Sequence, residues 1–311
     1  FKLILGNEIY LTRSGLTKDN FVSGEDRFYH FILLAKDEIG HKQLRELSSR
    51  AWKQSFYRFL ERVPTYYSDI DEVIGKNPGH VMGSTACLGG WLPTMLMEAY
   101  KQNKHKQYEA HLETMGRIDN FLKWAIDVFG KENFFLEKQP SLNKEQWIVN
   151  SMMEDLSQQY GLKCIITTDA HYLRKEDRPI HKAYLNAKQG DREVDEFYAS
   201  TYVMSGEEIL EYFVKAEELF GPHGSREPIQ DVVARDLANT ISCAGAQVKD
   251  YDLAHSPIIP RTKIDWFDIT PHTPFTMNGK SWEYIDKFAT SESEQDRFFI
   301  SRVMSALVRK Y

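Results

Sequence analysis

Strand-like runs alternate with amphipathic, helix-like segments through residues 2–160 of this chain. The strand-like runs are rich in β-branched and aromatic residues, and the segments between them place apolar residues at helical spacing. This alternation favours an α/β architecture with a largely parallel sheet. No glycine-rich dinucleotide fingerprint is present, so a barrel-like sheet fits at least as well as a doubly wound one. The expected strands are 2–11, 28–35, one within 80–90, 133–137 and 163–168, and the expected helices are 37–50, 52–63, 92–100, 105–129 and 143–160.

The last of these strands ends abruptly on polar residues that can bind a cation. The apolar run 164–168 is followed directly by Asp169, Ala170 and His171. Residues just past the carboxyl end of a strand face the active-site mouth of an α/β fold. A carboxylate oxygen together with an imidazole nitrogen suits zinc, manganese or iron. The alternative is a structural turn, in which Asp169 caps the next helix and His171 packs beneath it.

Three further side chains are candidate ligands, and each also has an ordinary structural interpretation. Glu8 interrupts an apolar run, where a buried carboxylate needs a partner or a metal, but it can also point outward on an edge strand. His30 stands at the head of the second strand among aromatic residues, where a core histidine is the commoner case. Cys87 precedes Gly89 and Gly90 in a loop of small residues. A buried thiol is the default there, because a thiolate ligand requires a nearby cation.

Charge and cysteine content restrict the class of protein. The net charge is −6, so any contact with nucleic acid must be local rather than spread over the whole surface. Three widely spaced cysteines argue against a disulfide scaffold and for a reducing compartment. No apolar run approaches the length of a membrane span, and the first residues lack the pattern of a signal peptide. The chain does not begin with Met and opens on strand-like residues, so we expect a fragment of a longer protein.

The pattern changes near Pro260. Helices are expected at 176–189, from 205 to 213 and at 227–244, and a Pro-Ile-Ile-Pro segment then reads as a linker. Residues 263–281 show little periodicity, whereas 282–311 reads as a helix. We therefore predict one domain over residues 1–260 and the helical start of another over 261–311.

Several motifs together resemble the polymerase-and-histidinol-phosphatase (PHP) domain of the bacterial replicative DNA polymerase III alpha subunit. They occur in the order and at about the spacing of that family, and the resemblance extends over roughly residues 1–260. The segment from 202 to 260 is similar to the polymerase region that follows the PHP domain. The resemblance implies a distorted seven-stranded β/α barrel of the TIM-barrel type, followed by a helical segment. The matching motifs are LGNEIY (5–10), YHFILLAK (29–36), ACLGG (86–90), FFLE (134–137) and TDAHY (168–172).

The same resemblance assigns the site. Position by position, the family's metal ligands correspond to Glu8, His30, Cys87, Asp169 and His171, with Asp169 and His171 also in catalytic roles. They would hold two or three divalent ions (zinc, manganese or iron). The family's opening His-x-His motif would precede residue 1, and the polymerase palm with its magnesium ions would follow residue 311. The remaining histidines, among them His181, match no ligand position.

The function implied by the resemblance is metal-dependent phosphoester hydrolysis in DNA replication. In some polymerases of this family the PHP site is a 3′–5′ proofreading exonuclease. Two alternatives are an inactive structural platform that docks a separate proofreading subunit, and a stand-alone phosphatase of the histidinol-phosphate type. The polymerase-like segment after residue 190 speaks against the phosphatase. The expected partners are DNA, a proofreading subunit and a sliding clamp, with no membrane, in the cytoplasm.

Overall fold

The computed structural model describes residues 2–189, 196–253, 276–277, 280–281 and 290–310. The chain divides into two compact units, Phe1–Asp252 and Leu253–Tyr311. The first unit contains a six-stranded sheet and most of the helices. The described residues of the second form a short hairpin, β9 (Thr276–Met277) and β10 (Lys280–Ser281), and one long helix, Glu294–Lys310. The predicted boundary at Pro260 and residues 282–289 of the predicted last helix lie outside the described residues.

The main sheet has the strand order β5-β1-β2-β6-β7-β8. Strands β5, β1, β6, β7 and β8 run in one direction, and β2 runs against both of its neighbours. The amino end of β2 therefore lies beside the carboxyl ends of the other strands. The strands are β1 (Gly6–Thr12), β2 (Tyr29–Ala35), β5 (Pro64–Tyr66), β6 (Val81–Ser84), β7 (Phe134–Lys138) and β8 (Lys163–Ile166), and a separate hairpin comprises β3 (Phe56–Arg58) and β4 (Leu60–Arg62).

One face of the sheet packs against helices and forms the main core. Alternate residues such as Leu11, Phe31, Leu33 and Leu136 point to this face and are fully buried there. They meet the apolar faces of the helices that connect the strands. The helices of the first unit are α1 (Glu38–Lys53), α2 (Tyr67–Ile70), α3 (Trp91–Lys104), α4 (Tyr108–Phe129), α5 (Lys144–Tyr160), α6 (Arg178–Gln189), α7 (Gly206–Phe220) and α8 (Ile229–Ile241).

The opposite face of the sheet lines a cavity of about 260 Å³. The intervening residues of the same strands point into it, among them Ile32, Ser84 and Glu137, and Asp169 lines it from the loop after β8. Most of its wall is apolar, and its few polar groups lie toward the carboxyl ends of the strands. This face carries the candidate ligands of β1 and β2.

The outer edge of β8 is covered by helix α8. Asn239 donates a hydrogen bond to the carbonyl oxygen of Cys164 (2.9 Å), and the Ile166 amide donates one to Thr240 Oγ1 (2.9 Å). These side chains supply partners that a further strand would otherwise provide. The α/β class is confirmed, and the described part of the chain shows an open six-stranded sheet without barrel closure.

Several predicted elements were wrong in their type or bounds. Residues 52–63 were expected to be helical, but α1 ends at Lys53 and β3 and β4 follow. Aromatic residues prefer strands, and Phe56 packs against the rings of Phe21 and Phe28. The helix expected from 105 begins at Tyr108, because Lys106 has a φ of +59° that no α-helix accommodates. The first strand begins at Gly6 rather than at residue 2.

Candidate metal centre

Strand pairing brings Glu8 and His30 together on the cavity face. In the antiparallel register Glu8 pairs with Ile32 and Tyr10 pairs with His30, so Glu8 and His30 are diagonal neighbours on one face. Their side chains meet, with His30 Nδ1 2.8 Å from Glu8 Oε1. The hydrogen bond from His30 lowers the pKa of Glu8. The Glu8 carboxylate is therefore paired with His30 and does not simply face solvent, although its side chain remains 49% exposed.

Cys87 reaches the same imidazole from the loop after β6. Its Sγ lies 3.4 Å from His30 Nδ1, and the loop is fixed because the His30 amide donates to the Gly89 carbonyl oxygen (3.0 Å). Hydrogen bonds with Cys87 and Glu8 raise the pKa of His30 to about 10. A Cβ on Gly90 would lie 2.1 Å from the Thr85 carbonyl oxygen, so only glycine fits there. The conformation of this loop thus places the buried Cys87 thiol beside His30.

The loop after β8 supplies Asp169 and His171. Asp169 has a φ of +46°, a left-handed backbone conformation. Residues other than glycine rarely adopt this conformation, and those that do are often found at functional sites. His171 Nδ1 donates a hydrogen bond to the Asp169 carbonyl oxygen at 2.7 Å. This contact fixes the tautomer of a neutral imidazole and leaves the Nε2 lone pair available for a cation. Burial raises the pKa of Asp169, and the His171 charge opposes that rise.

All five predicted ligands lie in one neighbourhood. The ligand atoms of Glu8, His30 and Cys87 are within 4.8 Å of one another. The pKa of Asp169 responds to the charges of His171, Glu8 and His30 and to a hydrogen bond with the Cys87 side chain. Glu8 in turn responds to the charge of His171. Carboxylate, imidazole and thiolate donors together suit zinc, manganese or iron.

Glu137 is a site residue that the sequence reasoning did not assign. It lies at the end of β7, and its carboxylate accepts hydrogen bonds from Ser84 (2.6 Å), Thr167 (2.6 Å) and Gln139 (3.2 Å). Burial raises its pKa, and the charge of Asp169 adds to the rise. Through Thr167 it anchors the start of the loop that carries Asp169. A carboxylate at the end of an apolar strand was the available signal.

His181 is a second residue near the site, on α6. Its ring lies 5.5 Å from the ring of His171 and 5.1 Å from that of Tyr198, measured between centroids. The residue is buried, and its Nδ1 makes no hydrogen bond to any described residue. Burial lowers its pKa. The prediction that His181 is not a ligand stays a prediction, and the structure places its ring against that of His171, a candidate ligand.

A second group of potential metal ligands is instead paired with the side-chain ammonium group of Lys138. Glu154, Cys164 and Asp236 lie close together and are buried. Lys138 Nζ contacts Glu154 and lies 2.8 Å from Asp236 Oδ2, while Arg235 Nη2 lies 2.8 Å from Glu154 Oε2. The two cations neutralise the two carboxylates, so this cluster is an ion-pair network joining β7, α5 and α8. We refer to it as the Lys138 network.

The family model of the PHP domain matches residues 1–141 of this chain. These residues include β1, β2 and the loop after β6, that is, the elements that carry Glu8, His30 and Cys87, and also β7 with Glu137. The resemblance predicted from the sequence motifs is therefore confirmed: the chain carries a PHP domain of the type found in DNA polymerase III alpha subunits.

The relatives of the chain include DNA polymerases. It is 40% identical over 312 aligned positions to the probable DNA polymerase YorL of Bacillus subtilis (strain 168) and to the DNA-directed DNA polymerase of Bacillus phage SPbeta. Each of these two alignments covers 100% of this chain and 23% of the relative. It is 31% identical over 214 positions to the DNA polymerase III subunit alpha of Aquifex aeolicus, covering 67% of this chain and 16% of the relative. The chain thus spans less than a quarter of the polymerases that it matches.

None of the helices in the described part of the chain is both long enough and apolar enough to cross a bilayer.

Proposed function

We propose that this chain contributes a metal-dependent phosphoesterase to a replicative DNA polymerase and that it acts as a 3′–5′ proofreading exonuclease. The observation that carries the proposal is the convergence of Glu8, His30 and Cys87, with ligand atoms within 4.8 Å of one another, beside Asp169 and His171. The match of the whole chain to DNA polymerases supports a role in DNA replication over a stand-alone phosphatase.

The proposed ligands have distinct tasks. Glu8, His30 and Cys87 would hold cations from one side of the site, and Asp169 and His171 from the other. When bound, two or three divalent ions would activate a water and stabilise the in-line displacement at phosphorus. The Asp169 carbonyl oxygen keeps His171 in the tautomer that presents Nε2. The Asp169 carboxylate would orient the attacking water.

We also propose the finer features that the resemblance implies. The six strands would belong to a distorted seven-stranded β/α barrel within a domain of residues 1–260, with 261–311 starting the polymerase region. The ions would be zinc, manganese or iron, and the polymerase palm of the longer protein would use magnesium. DNA, a proofreading subunit and a sliding clamp would be the partners, in the cytoplasm.

The test compares the full-length protein with two matched variants. Asp169→Asn removes a proposed ligand, and Asp127→Asn makes the same change at an exposed position on α4. We expect elemental analysis to find bound zinc, manganese or iron in the wild type. We also expect hydrolysis of a 3′-mismatched primer that a chelator abolishes. Asp169→Asn should lose roughly 100-fold or more of this hydrolysis, since even the partners of metal ligands are worth about 10–100-fold.

The outcome separates the candidate roles. Hydrolysis that survives both the chelator and Asp169→Asn would contradict a metal site at these residues. Bound metal without hydrolysis would instead favour the structural platform that docks a separate proofreading subunit. Asp127→Asn should match the wild type in both measurements.

A further inference from the structure

A groove beside the candidate metal centre is lined by arginine and aromatic side chains. It has a volume of about 550 Å³ and lies between β1 and the β3–β4 hairpin. Tyr10, Arg27, Phe28, Leu60 and Arg62 line it. We refer to it as the hairpin groove. Its volume falls within the range of about 300–1,000 Å³ that small-ligand sites occupy, so one or two nucleotides would fit.

Tyr10 joins this groove to the candidate ligands. Its ring meets the ring of His30 edge-on, with 5.4 Å between centroids. Tyr10 also follows Glu8 by two residues on the same face of β1, a rise of about 7 Å along the strand. A chain of nucleotides bound in the groove would therefore have one end next to Glu8 and His30.

The charge of the groove is positive although the protein is acidic. Among the described residues, neither Arg27 nor Arg62 has a carboxylate within 4.0 Å, whereas the nearby Arg13 is paired with Asp26. The one carboxylate in the wall, Glu61, accepts a hydrogen bond from Ser55 at 3.1 Å. Two unneutralised guanidinium groups in a protein of net charge −6 form a local attraction for phosphate.

The exposed tip of the hairpin is held in place by ring packing at its base. Arg62 stacks on Phe28, with Cζ 5.3 Å from the ring centroid. Phe59 at the hairpin tip is 88% exposed and has a φ of +64°, a strained conformation for a residue with a side chain. A two-stranded hairpin is marginally stable by itself, but Phe56 anchors this one to Phe21 and Phe28. The strain and the exposure are thus supported by packing at the base.

We propose that the hairpin groove binds the single-stranded 3′ end of DNA. The bases stack on Tyr10 and on the exposed tip ring of Phe59, and Arg27 and Arg62 bind the phosphates. Exposed aromatic rings interleaved with cations are the usual means of binding single strands without sequence preference. This inference rests on the proposed function, because it leads the 3′ terminus toward Glu8 and His30.

Photo-crosslinking locates the 3′ end without requiring hydrolysis. A primer with a photoreactive base at its 3′ terminus and two unpaired terminal nucleotides is bound to the full-length protein in the presence of a chelator. We expect mass spectrometry to find the crosslink on peptides that contain Tyr10, Phe28 or Phe59. Crosslinks confined to other parts of the protein would overturn the proposal. Since no metal is present, this result is independent of whether the metal centre is active.

Kinetics of the metal-loaded protein supply the second measurement. Arg27→Ala combined with Arg62→Ala should raise KM for the 3′-mismatched primer about tenfold and leave kcat nearly unchanged. The salt dependence of log KM should become less steep by about 1.4, since each phosphate contact on a single strand contributes about 0.7. Arg45→Ala, which removes an exposed arginine of α1, is the matched control and should change neither quantity.

One result would overturn the groove and leave the proposed function intact, namely chelator-sensitive hydrolysis with an unchanged KM and an unchanged salt dependence in the double arginine variant. Failure of the proposed function alone would appear as groove crosslinks without chelator-sensitive hydrolysis.

Discussion

Replacing the lysine of the Lys138 network tests how the layers of this domain are held together. Lys138 lies on β7 and contacts Glu154 of α5 and Asp236 of α8, and all three side chains are at most 3% exposed. Lys138→Met nearly keeps the length of the side chain and removes its charge. Among the described residues, the Arg235 guanidinium would then be the one cation left beside the two buried carboxylates.

The expected loss can be worked out from Glu154. Burial by itself would raise the pKa of Glu154, but the interactions with Lys138 and Arg235 outweigh burial and lower it from 4.5 to about 2. At about 1.4 kcal/mol per pKa unit, this difference represents roughly 3 kcal/mol. Breaking a buried ion pair costs about 3–5 kcal/mol in other proteins. We therefore expect Lys138→Met to lower the free energy of unfolding by about 3–4 kcal/mol.

The same pKa gives the sign of the pH dependence. Because the pKa of Glu154 is lower in the folded state, its contribution to stability is complete above pH 4.5 and is lost as the pH falls toward 2. In Lys138→Met the burial effect on Glu154 is opposed by Arg235 alone. This variant should consequently lose less stability than the wild type on acidification through the same range.

Urea denaturation at pH 7, followed by intrinsic fluorescence, measures the effect. Lys163→Met is the matched control, since Lys163 pairs with Glu132 at 2.6 Å while the two side chains are 45% and 75% exposed. An exposed pair contributes about 0–1 kcal/mol. Adding Glu154→Gln and Asp236→Asn to Lys138→Met should recover at least half of the loss. The reasoning is refuted if Lys138→Met costs no more than Lys163→Met.

Three further predictions concern the candidate metal centre. Cys87→Ser should weaken zinc binding about tenfold or more in a competition with a chromogenic chelator, because a hydroxyl is a poorer zinc ligand than a thiolate; equal affinity would exclude Cys87 as a ligand. Burial raises the pKa of Glu137, so the folded state loses stability as the pH rises from 4.5 through that pKa; Glu137→Gln should reduce the difference between urea midpoints measured at pH 4.5 and pH 8. Gly90→Ala, whose Cβ would meet the Thr85 carbonyl oxygen at 2.1 Å, should weaken zinc binding by moving the Cys87 loop, whereas Gly116→Ala has open space in α4 and should not.

Much of the first unit was predictable because its elements have strong local signals. Asp37 caps α1, Asn143 and Gly161 bound α5, and the Ser205–Glu208 capping box starts α7. These features depend on residues within a few positions of one another. Local capping chemistry is visible in a sequence without knowledge of the fold.

Features that depend on strand pairing were not predictable. Nothing local shows that β2 runs against its neighbours, and only this reversal places His30, at the head of its strand, beside the ends of the other strands. The β3–β4 hairpin was missed because its apolar residues also fit helical spacing, and its contacts with Phe21 and Phe28 come from distant parts of the chain. Glu137 was missed because its two shortest hydrogen bonds come from distant parts of the chain, one from β6 and one from the loop after β8.

The helix that seals the outer edge of β8 sets a minimum length for any shortened version of this protein. The family match ends at residue 141, yet Asn239 and Thr240 supply hydrogen bonds to Cys164 and Ile166 from far beyond it. A protein truncated before Ile229 would lack α8, so the backbone hydrogen-bonding groups at the edge of β8 would be exposed and could pair with the sheet edge of another molecule, which leads to aggregation. Biochemists who wish to isolate this domain should therefore retain the chain at least through α8.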